Sequence, residues 1–234
     1  PGTTFIDFNE KDELDRITTS TAAVIVEPIQ GDAGVRIPSK EYMLALRHRC
    51  DETGAQLIFD EIQTGMGRTG KFFAFEHFDV VPDILTIAKA FGGGMPIGAF
   101  ISSKKKMEQL THDPVLGHIT TFGGHPVCCA AALASLEVLS TENWIAQAES
   151  KGQKLKDILG KSKAKQVRQI GLMLAVELDS AEEVDRVINE LLKRGYITFY
   201  FLSTRTAFRL APPLSITDDV LVEAGNQISE VIGI

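Results

Sequence analysis

Several features are scarce or missing in this 234-residue sequence, and each absence closes off a class of function. Basic charge is outnumbered: 24 lysines and arginines face 31 aspartates and glutamates, for a net charge of −7. An acidic chain lacks the positive surface that neutralises phosphates, so nucleic acid is a poor partner. The single basic run, Lys104-Lys105-Lys106, reads as the start of a solvated helix. No apolar stretch reaches the ~18 residues of a membrane span, and no signal peptide is expected. Cys50, Cys128 and Cys129 are an odd number, the last two adjacent, so no disulfide framework is suggested and a reducing, cytoplasmic setting is expected. His48, His77, His112, His118 and His125 show no metal-ligand spacing and read as core or surface histidines. Neither Gly92-Gly93-Gly94 nor the punctuated run Gly65–Gly70 matches a dinucleotide or Walker fingerprint, so NAD and ATP are poorly supported. The chain opens Pro1-Gly2-Thr3 without a methionine and reads as a cut inside a longer protein.

What is present suits a soluble globular protein: 44% apolar and 24% charged residues, on a length that gives one domain plus part of another. Strand and helix signals alternate. A helix is expected over 10–17 and a buried strand over Ala22–Val26. Ser39 should cap a helix that runs to Thr53 and stops at Gly54. Strands follow at Leu57–Asp60, Ile84–Ala88 and Ile97–Ser102, and an alanine- and leucine-rich helix from Val127 to Leu139. Such alternation predicts an α/β architecture with a mostly parallel sheet. After a boundary near residues 135–145 the grammar changes: a strand at Leu172–Leu178, and a helix with a capping box at Ser180 and Glu183 that ends at Gly195. Strands at Tyr196–Phe201 and Phe208–Leu210 and a last helix from Thr217 complete a smaller α+β unit.

The chemistry centres on Lys89, at the end of the apolar run Ile84-Leu85-Thr86-Ile87-Ala88 and directly before Ala90-Phe91-Gly92-Gly93-Gly94. An amine at the C-terminal end of such a strand stands where α/β proteins place ligands. Partly desolvated, it loses its proton more readily and can form a Schiff base with an aldehyde cofactor. The plainer alternative is a solvated lysine at a loop start. Upstream, Leu57-Ile58-Phe59 ends in Asp60, a carboxylate able to keep a pyridine nitrogen protonated or to cap the next turn. Gln63 could bond a phenolic oxygen or cover the ring. Thr120 and Thr121, before Phe122-Gly123-Gly124, offer hydroxyls and amides to a phosphate, or simply make a turn.

Five blocks then resemble, in order and spacing, a known family. They are Val26-Glu27-Pro28-Ile29-Gln30-Gly31-Asp32-Ala33-Gly34, Phe59-Asp60-Glu61-Ile62-Gln63-Thr64-Gly65-Met66-Gly67-Arg68-Thr69-Gly70, Ala88-Lys89-Ala90-Phe91-Gly92-Gly93-Gly94, Thr120-Thr121-Phe122-Gly123-Gly124 and Phe208-Arg209-Leu210-Ala211-Pro212-Pro213-Leu214. The pattern is similar to class III aminotransferases, the pyridoxal-phosphate enzymes that include ornithine, acetylornithine and 4-aminobutyrate aminotransferases. The resemblance implies the C-terminal portion of a fold-type-I large domain over residues 1–138, with a partial, mostly parallel sheet, and a small α+β domain over 139–234. It implies pyridoxal 5′-phosphate as cofactor, bonded to Lys89, which then shuttles a proton; Asp60 on the pyridinium nitrogen; Gln63 near the phenolic oxygen; and Thr121 on the phosphate of a neighbouring subunit, hence a homodimer with a shared site. Arg209 grips a substrate carboxylate. Asp32 stands where ornithine-type members often carry a glutamate that pairs with that arginine.

The implied reaction moves an amino group from an amine or ω-amino acid, ornithine- or acetylornithine-like, to a 2-oxoacid such as 2-oxoglutarate. A racemase or aminomutase of the same family, or a non-catalytic interaction fragment, are the alternatives. The family's phosphate-cradling turn and ring-stacking aromatic have no counterpart in these residues. The 234 residues alone are therefore expected to hold cofactor weakly and to be inactive, and their sheet to leave an edge and apolar faces open.

Overall fold

Ser39 does what its position predicts. In the computed structural model, which describes residues 2–115 and 117–234, its hydroxyl accepts the Tyr42 N–H at 3.1 Å and starts α1, Lys40–Thr53. Gly54, at φ 78°, ends the helix in the left-handed region that glycine enters without strain. Tyr42, Met43, Leu46 and Cys50 recur at helical spacing and are buried.

The chain divides into two compact units. Unit 1 comprises Pro1–Pro28, Pro38–Met66 and Phe73–Thr141. Its sheet has the order β1 (Ala23–Val26), β2 (Gln56–Asp60), β3 (Ile84–Ile87), β4 (Ala99–Ser102). The first three strands are parallel, as the alternation predicts, while β4 runs antiparallel to β3. The connection over residues 88–98 is shorter than the dozen or so residues of a parallel crossover.

Register sorts the side chains of this sheet. Leu57, Phe59, Leu85 and Ile87 share one face and are buried. Ile25, Ile58, Ile84 and, toward the strand ends, Asp60, Thr86 and Phe100 share the other. Ile25 is 70% exposed and Phe100 46%. The expectation of a buried strand at 22–26 is therefore corrected: β1 is an edge strand with one face open, and Ala22, Ala23 and Ile25 are exposed. The expected helix over 10–17 is a short 3₁₀ segment, Lys11–Arg16, whose N-cap residue Glu10 makes no side-chain cap bond. The basic run does begin a helix, α2 (Lys104–Glu108), capped by Ser103. The alanine-rich helix α3 spans Pro126–Thr141, with proline in the first turn, where its missing N–H costs nothing.

Asp83, just before β3, ties unit 1 together. One carboxylate oxygen accepts the Leu57 N–H at 2.8 Å and Arg47 Nη1 at 2.9 Å, and the other accepts Lys106 Nζ. Burial opposes its charge, but the bonds from Lys106, the Leu57 N–H and Arg47 outweigh it and hold the carboxyl down to about 2.

Unit 2 comprises Ile29–Ile37, Gly67–Phe72 and Glu142–Ile234. Its sheet is wholly antiparallel, in the order β5 (Gln166–Ile170), β6 (Met173–Glu177), β8 (Ala207–Leu210), β7 (Phe199–Tyr200). Three helices belong to the same unit: α4 (Trp144–Leu159), α5 (Ala181–Lys193) and α6 (Asp218–Ile232). Neither α4 nor β5 was foreseen. No side chain caps α4, and β5 is a polar-rich strand, so neither carries the usual signal. The strand expected at Tyr196–Phe201 shrinks to Phe199–Tyr200. The capping box at α5 is half made: the Glu183 N–H reaches Ser180 Oγ at 3.2 Å, but the Glu183 carboxylate takes the N–H of Asp179 at 3.3 Å.

Packing in unit 2 turns on two glycines. A Cβ on Gly152 of α4 would sit 1.8 Å from the Gly171 carbonyl oxygen, and one on Gly171 (φ 53°) would sit 2.5 Å from that of Arg68. The helix, the β5–β6 turn and the 67–72 segment approach as closely as backbones can. Glu149 completes the junction by accepting the Gly171 N–H at 2.8 Å.

Candidate active site

In unit 1, parallel pairing brings two of the expected residues to one end of the sheet. Asp60 is the last residue of β2, and its register partner on β3 is Thr86, three residues before Lys89. Asp60 Oδ1 accepts the Ile62 N–H at 3.0 Å, which fixes the carboxylate and leaves Oδ2 for another donor. The capping alternative is thus realised by one oxygen only. Gln63, half-buried in the turn after β2, encloses its side-chain oxygen without a hydrogen-bond partner. A buried amide end lacking a partner marks a place where a ligand group completes the set.

Lys89 is exposed and opens a 3₁₀ turn, Lys89–Gly92, two residues beyond the end of β3. Its φ of 49° is unusual for a residue with a Cβ and costs on the order of 1 kcal/mol. Helix α3 holds this turn in place: Ser135 Oγ donates to the Ala90 carbonyl at 3.2 Å, and a Cβ on Gly93 would lie 2.8 Å from the Ala131 carbonyl oxygen. Thr121 lies in the exposed turn that leads into α3, where the Gly123 N–H bonds the Thr120 carbonyl at 3.3 Å.

The two remaining residues lie in unit 2. Arg209, half-buried on β8, places its guanidinium 5.6 Å from the centre of the Phe199 ring, its neighbour on β7. Asp32 uses both carboxylate oxygens on the segment after β7, taking the Leu202 N–H at 3.1 Å and the Ser203 hydroxyl at 3.0 Å. The Arg209 guanidinium thus lies beside a ring, and Asp32 braces a loop.

This geometry meets the comparisons with known proteins. The profile of the class III aminotransferase family matches residues 8–232. The chain belongs to the class III aminotransferases. The acetylornithine aminotransferase of Methanocaldococcus jannaschii is 40% identical over 237 residues, covering 99% of this chain and 58% of that protein. The ornithine aminotransferase structure from Toxoplasma gondii ME49 is 34% identical with a TM-score of 0.91, covering 99% of this chain and 56% of that one. A second Toxoplasma gondii ornithine aminotransferase, crystallised with oxidised glutathione, is 36% identical with a TM-score of 0.91 and shows partial occupancy of pyridoxal phosphate at its active site. This class III aminotransferase chain thus spans little more than half the length of these relatives.

Pyridoxal phosphate, the cofactor of the family, suits the donors present in unit 1: a carboxylate with an open oxygen, an amide end without a partner, and an amine on a braced turn. Among the described residues no cluster of histidine, cysteine or acidic side chains could hold a metal, and no helix is long and apolar enough to cross a membrane.

Sequence reasoning passed over four residues. Glu61 is fully buried beside Asp60. Arg68 donates to the Pro212 carbonyl at 2.8 Å and to that of Leu172, and burial brings its guanidinium down to about 10. In unit 2, Gln30 Oε1 and Thr198 Oγ1 are buried without partners. Only tertiary structure decides which polar atoms are enclosed, so the sequence held no signal for any of them.

Proposed function

We propose that the full-length parent of this chain catalyses pyridoxal-phosphate-dependent transamination, moving an amino group from an amine or ω-amino acid, ornithine- or acetylornithine-like, to a 2-oxoacid such as 2-oxoglutarate. The observation that carries the reading is the placement of Asp60 and Lys89 at the same end of adjacent parallel strands in a class III aminotransferase chain. Bound pyridoxal phosphate supplies an aldehyde that captures amines and a ring that takes up the electron pair left when a substrate carbon loses its proton. Asp60, with Oδ2 open, would keep the ring nitrogen protonated. Gln63 would offer an amide N–H to the phenolic oxygen. Lys89 Nζ would hold the cofactor and, when free, would take up a proton from the substrate carbon. Arg209 binds a substrate carboxylate through two parallel N–H donors.

Thr121 would donate to a cofactor phosphate across a subunit boundary, which would make the working form a homodimer with shared sites; the exposed turn that holds Thr121 supports this. Three free cysteines accord with a reducing, cytoplasmic setting. The named relatives are aminotransferases, which favours transamination over racemisation, aminomutation or a non-catalytic role. Borohydride reduction in the presence of pyridoxal phosphate, followed by peptide mapping, tests the reading: the adduct should sit on Lys89, and saturable labelling of another lysine instead would overturn it.

A further inference from the structure

Among the described residues of unit 1, Glu61 is the one buried charge that the reaction leaves without a task. It is 1% exposed, and carboxylates are almost never so enclosed without strong partners. Its partners are three uncharged donors. Oε2 accepts the Thr64 hydroxyl at 2.6 Å and the Ala74 N–H at 2.9 Å, and Oε1 accepts the Phe75 N–H at 2.8 Å. Burial pushes the carboxyl above the ordinary range; the three bonds pull it back, and Glu76 adds to the rise.

The effect of these bonds is geometric. The Glu61 N–H extends the sheet pairing by donating to the Thr86 carbonyl at 3.0 Å, and the Gly65 N–H closes on the Glu61 carbonyl at 3.0 Å. Between these two points the turn has no ladder to define it, and the Glu61 side chain supplies the missing tie. The same carboxylate anchors the turn to the 3₁₀ segment Ala74–His77. Asp60 immediately precedes this turn, and Gln63 lies within it.

We infer that Glu61 is a positioning residue for the cofactor site: its carboxylate fixes the 61–64 turn, so that Asp60 and Gln63 hold their places at the end of β2. It touches neither cofactor nor substrate. The role rests on the reading of Asp60, Gln63 and Lys89 as the pyridoxal phosphate site.

Borohydride trapping at Lys89, followed as a function of pyridoxal phosphate concentration, tests it in three variants. Glu61→Gln presents an amide N–H to N–H donors and should raise the half-saturating concentration about tenfold, the effect of one or two lost hydrogen bonds. Hydrogen exchange at residues 62–65 and 74–75 should quicken with it. Thr64→Val deletes a single bond and should give about a threefold rise. Asp83→Asn weakens unit 1 away from the turn and should leave half-saturation unchanged. If Glu61→Gln lowers only the melting temperature, the residue is a structural plug and the inference fails. If that variant does not fold, Thr64→Val decides, and an unchanged half-saturation overturns the inference. A parent protein that traps nothing at Lys89 removes the cofactor reading itself, and this role with it, which separates the two failures.

Discussion

Strand β6 in unit 2 buries four of its five residues, whereas β1 in unit 1 buries none of its four. Their sequences, Met-Leu-Ala-Val-Glu and Ala-Val-Ile-Val, differ little in apolar character. β6 lies between β5 and β8 in the antiparallel sheet, while β1 has a neighbour on one side only. The same local chemistry therefore marks a core in one unit and an open edge in the other, because burial depends on what lies across the face. The face left open in unit 1 is also the one on which Asp60 stands.

The comparison would be broken most sharply by Asp60→Asn. If the open end of unit 1 is for chemistry and not for stability, turnover should fall by about a thousandfold, because an amide cannot hold the ring proton, with the melting temperature barely moved. A large loss of stability with retained turnover would make Asp60 a cap. Next in size, Leu174→Ala on β6 should cost about 3 kcal/mol in denaturant unfolding, since a fully buried leucine leaves a cavity that neighbours cannot fill.

Arg209→Lys should raise the Michaelis constants for amino acid and 2-oxoacid about tenfold, because a lysine loses the bidentate fork. Half-saturation by cofactor should hold, and unchanged steady-state constants for both substrates would remove Arg209 from the carboxylate site. Asp83→Asn should cost about 1 kcal/mol at neutral pH by stripping partners from Arg47 and Lys106. The carboxyl is held below its unfolded value of 3.8, so its contribution is complete above that value and is lost as pH falls toward about 2. Acid unfolding monitored by circular dichroism should show a shallower slope in that window for the variant. The smallest effect sharpens the contrast with Leu174: Ile25→Ala on β1 should stay within about 0.5 kcal/mol, and a cost near that of Leu174→Ala would mean that the open face is covered in solution.

Helix α1 could be read to the residue, because its start at Ser39 and stop at Gly54 are local backbone events. The parallel direction of β1 to β3 followed from alternation, while their order in the sheet did not. Lys89 and Asp60 were visible because a strand-end lysine before glycines and a strand-end carboxylate are short-range patterns, and the five blocks added roles to them. Helix α4 and strand β5 escaped notice because neither has a cap or an alternation strong enough to announce it; they are held by packing, above all the Gly152–Gly171 approach. Asp32 was read toward Arg209, yet it holds Leu202 and Ser203, which are 170 and 171 residues away in the chain.

Composition, caps, turn glycines and apolar periodicity act over a few residues, so the sequence by itself determined the α/β class, most element positions, the family and the strand-end placement of Lys89 and Asp60. Which sheet face stays open, which carboxylate is sealed in as Glu61 is, and which backbone donors it meets were decided by the tertiary structure alone. Enclosure and hydrogen bonding at long sequence separation depend on every neighbour at once.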